Sequence, residues 1–570
     1  DLIPNECYKA LPPNWIHYLL NLFNRIWNSE DIPASWCRIK LRLLHKKGDY
    51  SDPNNYRGIA IFNNITKLFT SVIYNRLSKW CDNYNILPEE QMGFRSGRGC
   101  ADAVFSVNAA INIQLRLKRR RVFGLFVDLK RAFDSVNHAK LWFKLSQVGV
   151  SAKLVGFLKN MYDKASFVIS DGASLSNEMG VTQGVLQGEI LSPLLFSLFS
   201  ADIVDYFVDH GARGVNISAC RDLVMVLYAD DLCILSSSWL EMQTNLRILE
   251  GYCSENSLEV NTKKTVVVPF HKGGRLPNFP KFFYGRDNIS VESSFVYLGV
   301  PLYASGKFTQ TGKWFLQKSI AANSVVYRLL STSKSHVWST KCYLYKSLSE
   351  SVLLYMAEIW GSQCLDILER SQILFFKSLL QLPSGTPNSY IRLETGRVHL
   401  KYNVFKRMFN WWEKLLLMPD SRIPRICYLR LHKLTDFSSI PFNWVSEFKS
   451  FLYSIGTENV WLKQDAFFLR KSRSDVLAKL KNHLFSVDVD LAINSRYNLY
   501  YRNISSFGPG ESYLNLTCHI NKLRLMSQIR LACKKCSRIT FGDMRYKFSP
   551  ESYCLLCDSQ HFDTLSHFFF

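Results

Sequence analysis

Two apolar segments of the chain have the composition of buried β-strands, and both end at acidic residues. Residues 122–127 are Val-Phe-Gly-Leu-Phe-Val, and Asp128 follows them directly. Residues 223–235 form two short apolar runs separated by Tyr-Ala-Asp-Asp, so Asp230 and Asp231 fall at the turn of a predicted hairpin. Uninterrupted apolar runs of this length are consistent with strands covered on both faces. The pattern predicts buried strands with three carboxylates at their ends.

Helical periodicity follows the first of these strands. Leu141, Leu145 and Val148 recur at the spacing of one helix face. Asp134 and Ser135 precede that pattern and are good N-cap candidates. We therefore prefer capping to catalysis as the role of Asp134. Helix-type patterning dominates again over residues 311–400.

Length and charge limit the class of protein. A chain of 570 residues is too long for one core, so we expect two to four domains. Lys plus Arg exceed Asp plus Glu by 70 − 47 = 23, which favours a polyanionic partner such as nucleic acid. No apolar stretch reaches the roughly 18 residues that span a bilayer, so no membrane association is expected. The scattered cysteines favour a reducing compartment.

The three carboxylates suggest a metal site. Burying adjacent carboxylates costs several kcal/mol unless a cation compensates, and divalent ions are the usual compensation. Two such ions about 4 Å apart clamp the attacking and leaving oxygens of a phosphoryl displacement. For the Asp-Asp pair alone, an exposed acidic hairpin tip is the competing interpretation.

Three blocks, in order and spacing, resemble reverse transcriptases of non-LTR (LINE-type) retrotransposons. They are Phe-Val-Asp-Leu-Lys-Arg-Ala-Phe-Asp at 126–134, Gln-Gly-Glu-Ile-Leu-Ser-Pro at 187–193, and Tyr-Ala-Asp-Asp at 228–231. The resemblance implies an α+β fold of the right-hand polymerase type, with fingers, a palm containing an antiparallel sheet, a helical thumb, and a mainly helical C-terminal region. It also implies Asp128, Asp230 and Asp231 as catalytic ligands of two Mg²⁺ ions.

The implied activity is RNA-directed DNA synthesis. An RNA template, a DNA primer or target DNA, and dNTPs would be the partners, with a nick in target DNA as the physiological primer. The family further suggests an intracellular location in nucleus and cytoplasm. The oligomeric state is not predicted.

The segment 44–58 resembles the fingers block. Lys46 or Lys47, together with Arg57, would meet the incoming triphosphate, since a point charge and a bidentate fork suit phosphate. A solvated surface is the alternative for all three. Residues 91–99 resemble the template-contacting block, in which Arg95 and Arg98 would add charge. An ordinary flexible basic loop is the alternative there.

Further nucleotide contacts follow from the resemblance. Phe133 would be the steric gate against a 2′-hydroxyl, a role compatible with its being a core aromatic. Gln187 and Gly188 would contact nucleotide and template, although Gln183-Gly184 offers a second register. Lys264 would lie near the departing pyrophosphate, with a plain surface lysine as the alternative.

Residues 295–300 resemble the primer-grip hairpin. Tyr297 and Gly299 would then contact the primer. The expected organisation has five parts: N-terminal extension and fingers over 1–121, palm over 122–305, thumb over 306–400, helical linker region over 401–545, and a partial zinc knuckle over 546–570.

The C-terminal segment contains a Cys/His motif. Cys554, Cys557 and His567 match three ligands of the zinc knuckle that ends related elements, and we expect the fourth ligand beyond Phe570. Cys533 and Cys536 with Cys554 and Cys557 form a rival four-cysteine Zn²⁺ set.

Two other functions compete with reverse transcription. An RNA-dependent RNA polymerase shares the palm chemistry, but a bulky Phe133 at the gate opposes ribonucleotides. A decayed fragment that binds nucleic acid without polymerising is the alternative outside enzymes, and the three intact aspartates oppose it.

Overall fold

The computed structural model separates the chain into two compact units. The first comprises residues 1–299, 304–306 and 422–427, and the second comprises 300–303, 307–421 and 428–570. The structure describes residues 3–46, 48–117, 120–170, 174–273, 279–435, 443–498, 500–532, 537–541, 544–548 and 553. The predicted α+β class is confirmed. The finer division into five parts stays a prediction.

The first unit is built around a six-stranded sheet with the order β11-β12-β10-β3-β9-β8. A four-stranded sheet, β2-β1-β4-β5, and a β6–β7 pair accompany it. The strands of this unit are β1 Arg38–His45, β2 Tyr56–Ile61, β3 Arg121–Val127, β4 Ser166–Ser170, β5 Met179–Gly180, β6 Val215–Ser218, β7 Arg221–Leu223, β8 Met225–Tyr228, β9 Asp231–Ser236, β10 Val266–His271, β11 Phe282–Tyr284, β12 Asp287–Val291 and β13 Ser294–Tyr297.

The described residues of the first unit also form ten helices. They are α1 Asn5–Lys9, α2 Pro13–Ser29, α3 Ala34–Cys37, α4 Asn64–Asn83, α5 Cys100–Leu115, α6 His138–Gln147, α7 Ala152–Asp163, α8 Ser192–Phe199, α9 Ile203–Asp209 and α10 Trp239–Asn256.

The central strand β3 explains why its sequence is apolar without interruption. It pairs antiparallel with β9 on one side and with β10 on the other. Phe123, Leu125 and Val127 face a core shared with α9 and α10. On the opposite side of the strand, Phe126 stacks on Phe295 at 4.6 Å between ring centroids. Both faces are covered, so no polar position alternates along the strand.

Helix α5 is buried almost all around. From Asp102 to Leu115, every residue except Gln114 is buried. A helix that is apolar on all sides belongs in the interior of a domain. It packs against β3, β6, β8 and β10.

The second unit is mainly helical. Its elements are β14 Val300–Tyr303, α11 Thr309–Ser333, α12 Trp338–Leu344, α13 Ser351–Leu353, α14 Ala357–Trp360, α15 Leu365–Leu379, α16 Asn388–Thr395, α17 Lys401–Leu417, α18 Ile423–Thr435 (whose first residues belong to the first unit), α19 Trp444–Ser454, α20 Glu458–Lys463, α21 Ala466–Ile493, α22 Tyr501–Ile504, α23 Ile520–Arg530, β15 Ser537–Phe541 and β16 Met544–Phe548. One π-helical segment, Tyr345–Glu350, lies between α12 and α13.

An aromatic core and buried ion pairs hold the second unit together. Tyr345, Phe375 and Phe376 pack as a cluster with centroid separations of 4.6 to 5.5 Å. Arg392 on α16 pairs with Asp488 on α21 at 2.5 Å. A buried guanidinium needs such a partner, because removing one member would leave an uncompensated charge. In the parts of the chain that the structure describes, no helix combines the length and apolar character that crossing a bilayer requires.

Candidate active site

The three predicted aspartates lie at one edge of the six-stranded sheet. Asp128 follows the last residue of β3, and Asp231 begins β9 after the turn from β8. The register pairs Val127 with Leu232, which puts the end of β3 beside the start of β9. Antiparallel pairing therefore brings together carboxylates that are about a hundred residues apart in sequence.

Asp231 is electrostatically coupled to the other two aspartates. Burial against the hairpin raises the pKa of this carboxyl to about 6, and the neighbouring charges of Asp230 and Asp128 add to the rise. Desolvation and like charges both disfavour the ionised form. A cation placed among the three groups would remove that penalty.

Asp128 is held from the segment that follows α10. Asn261 donates from Nδ2 to Asp128 Oδ2 at 2.9 Å, and the Asn261 N–H donates to the Asp128 carbonyl at 2.7 Å. Thr265 Oγ1 accepts from the Asp128 N–H at 3.2 Å. The Lys264 ammonium lies 3.5 Å from the same Oδ2. Three residues of one short segment thus orient this carboxylate.

The donor set suits divalent metal without forming a closed shell. Carboxylate oxygens are the preferred ligands of Mg²⁺, which is commonly bound through one or two carboxylates together with substrate phosphates. Among the described residues, no three Asp, Glu, His or Cys side chains are already arranged as a set of metal ligands. A dication would relieve the desolvation and charge repulsion at Asp231, and the remaining ligands would come from substrate and water.

A cleft of about 800 Å³ is lined by two of the three aspartates, Asp128 and Asp230. Its walls include apolar residues of β1 and β2 and polar residues of the palm. Its functional lining consists of Lys46, Tyr56, Gly58, residues 128–134, residues 183–187, Asp230, Asn261 and Lys264.

Phe133 and Gln187 line this cleft, as the sequence prediction requires. The Phe133 ring is half-buried and stacks on Phe196 with centroids 4.7 Å apart. Gln187 donates from Nε2 to Asp134 Oδ1 at 3.0 Å. The preferred capping role of Asp134 and Ser135 is wrong. Helix α6 begins four residues after Asp134, and its N-cap is Asn137, which accepts from the Lys140 N–H at 3.0 Å.

The backbone at position 188 approaches β2 so closely that only glycine fits there. Its φ is 109°, and a Cβ there would lie 2.5 Å from the Ala60 carbonyl oxygen of β2. Gly184, in the alternative register, has a φ of 86° and would meet the Asp134 backbone at 2.7 Å. Gly184 lines the cleft together with Gln183 and Gln187, and Gly188 follows Gln187 directly. The choice between the two registers stays a prediction.

Only part of the predicted triphosphate site is described. Lys46 is exposed and lines the cleft, and its N–H donates to the Asn55 carbonyl at 2.7 Å. Arg57 lies in β2 opposite Leu44 of β1. Lys47 lies outside the described residues.

The template role predicted for Arg95 and Arg98 requires correction. Their side chains are only 6% and 9% exposed. Arg95 donates to the Pro88 carbonyl at 2.8 Å, and Arg98 pairs with Glu89 at 2.6 Å. Both guanidinium groups are thus engaged by the protein itself, and they stabilise the turn that carries residues 88–98.

The primer-contact role predicted for Tyr297 also requires correction. The side chain is buried against Phe126, with centroids 5.4 Å apart, and burial raises the pKa of its phenol well above the usual value. A buried ring cannot present itself to a primer. Gly299 does occupy a turn that ends β13, with φ values of 46° at Leu298 and 82° at Gly299.

The predicted zinc ligands Cys554, Cys557 and His567, and the rival pair Cys533 and Cys536, lie outside the described residues. Two other residues near the site were not predicted. Asn261 orients Asp128, and Gln91 contacts the Tyr228–Asp231 turn. Neither residue type signals such a role in sequence, because both act through contacts distant along the chain.

Residues 44–302 match the family described as reverse transcriptase (RNA-dependent DNA polymerase). Among curated proteins, the chain is 28% identical over 381 residues to the probable RNA-directed DNA polymerase from transposon BS of Drosophila melanogaster, covering 66% of this chain and 41% of that protein. It is 24% identical over 396 residues to the RNA-directed DNA polymerase from mobile element jockey of the same species, covering 68% and 42%.

Solved structures give weaker similarities. Telomerase from Candida albicans, in complex with a fragment of telomeric RNA, has a TM-score of 0.37 at 12% identity over 76% of this chain and 70% of that one. A truncated apo telomerase from Candida tropicalis has a TM-score of 0.35 at 14% identity over 51% and 59%.

The chain is thus similar to reverse transcriptases over residues 44–302 and to RNA-directed DNA polymerases of transposons. The predicted resemblance to reverse transcriptases is confirmed, and the right-hand polymerase architecture and the enzyme class stay predictions. The chain spans about two fifths of the length of the curated relatives it matches.

Proposed function

We propose that this chain is an RNA-directed DNA polymerase that extends the 3′-hydroxyl of a primer along an RNA template. The observation that carries the proposal is the convergence of three aspartates at the edge of the palm sheet. There, desolvation, together with the charges of Asp230 and Asp128, raises the pKa of Asp231 to about 6. Such an arrangement concentrates negative charge where a metal-dependent phosphoryl transfer needs it.

Asp128, Asp230 and Asp231 would hold two Mg²⁺ ions. Bound ions of this kind stabilise the attacking and leaving oxygens of the displacement. The protein's own residues supply positioning, which accounts for most of the catalysis in phosphoryl transfer. Asn261 keeps the Asp128 carboxylate turned toward the cleft, and Lys264 offers a positive charge beside it for the departing pyrophosphate.

The cleft has the parts needed to select a deoxynucleotide. Lys46 provides charge at one wall, with Lys47 and Arg57 proposed from sequence to act with it. Phe133 also lines the cleft, stacked on Phe196, and would exclude a 2′-hydroxyl by its bulk. Gln187 and Gly188 would support the base pair. In the cell, the primer would be a nick in target DNA, the template the element's RNA, and the compartment the nucleus and cytoplasm. A zinc knuckle at Cys554, Cys557 and His567 would assist RNA binding.

Primer extension tests this function directly. The purified chain, an RNA template with an annealed DNA primer, dNTPs and Mg²⁺ should give full-length product, and chelation of the metal should abolish it. Asp230→Asn should lose extension, whereas Asp163→Asn, an exposed carboxylate at the end of α7, should not. No extension by well-folded wild-type protein contradicts the proposal, and equal extension by Asp230→Asn contradicts the site.

Sugar selection separates this activity from RNA synthesis. Wild-type protein should use dNTPs in preference to rNTPs, and Phe133→Ala should reduce that preference while Phe133→Tyr retains it. A wild-type preference for rNTPs identifies an RNA-dependent RNA polymerase instead.

A further inference from the structure

An additional segment pairs with the turn that carries Asp230 and Asp231. Residues 90–92 run beside β8, where the Leu227 N–H donates to the Glu90 carbonyl at 2.9 Å and the Met92 N–H donates to the Leu227 carbonyl at 2.8 Å. This segment belongs to the block that resembles a template-contacting loop. Through these two backbone hydrogen bonds the segment extends the sheet beyond β8, next to the turn that contains Asp230 and Asp231.

The Gln91 side chain reaches from this segment into the turn. Its Oε1 accepts from the Ala229 N–H at 3.1 Å and from the Gly93 N–H at 2.9 Å. Two donors on one oxygen fix the orientation of the amide. The side chain is 1% exposed, and its Nε2 is buried without a hydrogen-bond partner. An amide with an unpartnered donor is an unfavourable choice for a core position unless its acceptor serves a purpose.

The conformation of Ala229 explains why an acceptor is needed at this position. This residue has a φ of 59°, in the left-handed region that non-glycine residues rarely adopt. It directly precedes Asp230 and Asp231, so its backbone angles set the directions of both carboxylates. The acceptor on Gln91 satisfies the Ala229 N–H in this conformation.

Gly93 allows the approach that this contact needs. A Cβ on Gly93 would lie 2.4 Å from the Ala229 nitrogen and 2.9 Å from the Tyr228 carbonyl carbon. No larger residue fits against the turn at that distance. The glycine and the glutamine thus act together on the same peptide unit.

We propose that Gln91 is a positioning residue, which holds Ala229 in the left-handed conformation and thereby orients Asp230 and Asp231 for divalent metal. The metal-binding part of this inference rests on the proposed polymerase function. The turn-holding part does not, because it concerns only the hydrogen bond from Ala229.

Hydrogen exchange tests the turn-holding part. In Gln91→Met, the Ala229 amide loses its acceptor, and a peptide covering residues 226–232 should exchange at least about tenfold faster in the native state. The matched control is Gln243→Met. Gln243 is another buried glutamine of the same unit, which makes two hydrogen bonds to the Phe283 backbone at 2.8 and 2.9 Å. This control also loses two hydrogen bonds between a buried glutamine side chain and the backbone, one donated and one accepted, and should leave exchange at 226–232 unchanged.

Metal dependence tests the orienting part. The Mn²⁺ concentration that gives half-maximal thermal stabilisation should rise about tenfold or more in Gln91→Met, as is typical when a group behind a metal ligand is removed. The Mg²⁺ concentration for half-maximal primer extension should rise in parallel. Gln243→Met should change neither midpoint.

A backbone substitution provides the rescue. Glycine adopts a φ of 59° without strain, so Ala229→Gly should reduce the effect of Gln91→Met on the metal midpoint. An unchanged exchange rate in Gln91→Met, or an equal effect of Gln243→Met, overturns the inference. An inactive wild-type protein in which Gln91→Met still accelerates exchange contradicts the proposed function and leaves the turn-holding role standing.

Discussion

Asp128 and Asp231 are the same residue type at the same edge of a sheet, but their surroundings give them different properties. Asp128 accepts a hydrogen bond from Asn261 and lies beside the Lys264 ammonium. Asp231 faces two like charges across a partly desolvated turn, which raises its pKa. Without metal, the negative charge of Asp128 is therefore partly neutralised by its partners, whereas the ionised form of Asp231 is destabilised.

Asp231→Asn is expected to stabilise the metal-free protein at pH 8. The folded-state pKa of Asp231 lies above the usual value, so the wild type loses stability relative to the variant as pH rises through about 4 to 6. Thermal unfolding in a chelator should show a higher melting temperature for the variant at pH 8 and a much smaller difference at pH 4. The same variant should lose the stabilisation that Mg²⁺ confers on wild-type protein. A variant less stable than wild type at pH 8 argues against charge repulsion at this site.

At the scale of elements, the N-terminus of α6 shows what decides where a helix begins. Asp134 and Ser135 are good capping residues, yet Asp134 accepts from Gln187 in the cleft and the chain continues to Asn137 before α6 begins. A cap is decided by which residue's side chain reaches the first-turn N–H groups, and tertiary contacts can occupy an earlier candidate.

Asn137→Ala should destabilise the protein by about 1 kcal/mol, the usual effect of removing an N-cap acceptor. Ser135→Ala should have a smaller effect, because Ser135 Oγ bonds only to the Ala132 carbonyl at 3.2 Å. Urea unfolding monitored by circular dichroism compares the two. Equal losses of stability indicate that the cap is shared.

Gly188→Ala should destabilise the cleft wall by about 1–3 kcal/mol, because a side chain at its positive φ is strained and its Cβ meets the Ala60 carbonyl. The matched control is Gly180→Ala on β5, where nothing lies within 4 Å of the added Cβ and φ is ordinary. Thermal unfolding of the two variants provides the measurement. If the two glycines tolerate alanine equally, the close approach of residue 188 to β2 is not rigid.

At the scale of the whole molecule, the excess of 23 positive charges determines how the chain meets its partners. Several of the guanidinium groups do not contribute to that surface, since Arg95, Arg98 and Arg392 are buried against the protein's own carboxylates or carbonyls. The remaining basic side chains supply a general attraction for phosphate chains, which is independent of catalysis.

RNA binding should therefore depend strongly on salt. The logarithm of the association constant should fall linearly with the logarithm of salt concentration, with a slope of about −0.7 for each phosphate neutralised on a single strand. Asp230→Asn should show the same slope as wild type, because it changes one charge within the cleft. Fluorescence anisotropy with a labelled RNA at several salt concentrations measures this. A slope near zero indicates that net charge does not drive binding.

Local patterns were sufficient to predict the strands beside the three aspartates. The apolar run at 122–127 corresponds to β3 at Arg121–Val127, and the two runs within 223–235 correspond closely to β8 and β9. These strands are covered on both faces, and strands of that kind consist of uninterrupted apolar residues. Such runs can be seen directly in the sequence. The periodic residues 141–148 likewise fall on α6 or at its C-terminal end.

Long-range contacts left no comparable signal. Arg95, Arg98 and Tyr297 belong to blocks that resemble nucleic-acid contacts, and the folded chain buries all three side chains instead. Asn261 and Gln91 carry no local pattern at all, because each acts on a residue more than a hundred positions away. Side-chain exposure and pairing depend on which distant segments meet, and periodicity does not encode that.

The order and identity of the acidic blocks were enough to predict the resemblance to reverse transcriptases, the strands β3, β8 and β9, and the three aspartates beside them. Few residue types can hold a divalent metal, and only apolar segments can form the buried strands around them. Both the aspartates and the apolar runs are therefore visible in the sequence. The tertiary structure alone decided how those aspartates are held. Antiparallel pairing of β3 and β9 places Asp128 near Asp231. The side chain of Gln91, which comes from a distant segment, accepts a hydrogen bond from the N–H of Ala229 in its left-handed conformation.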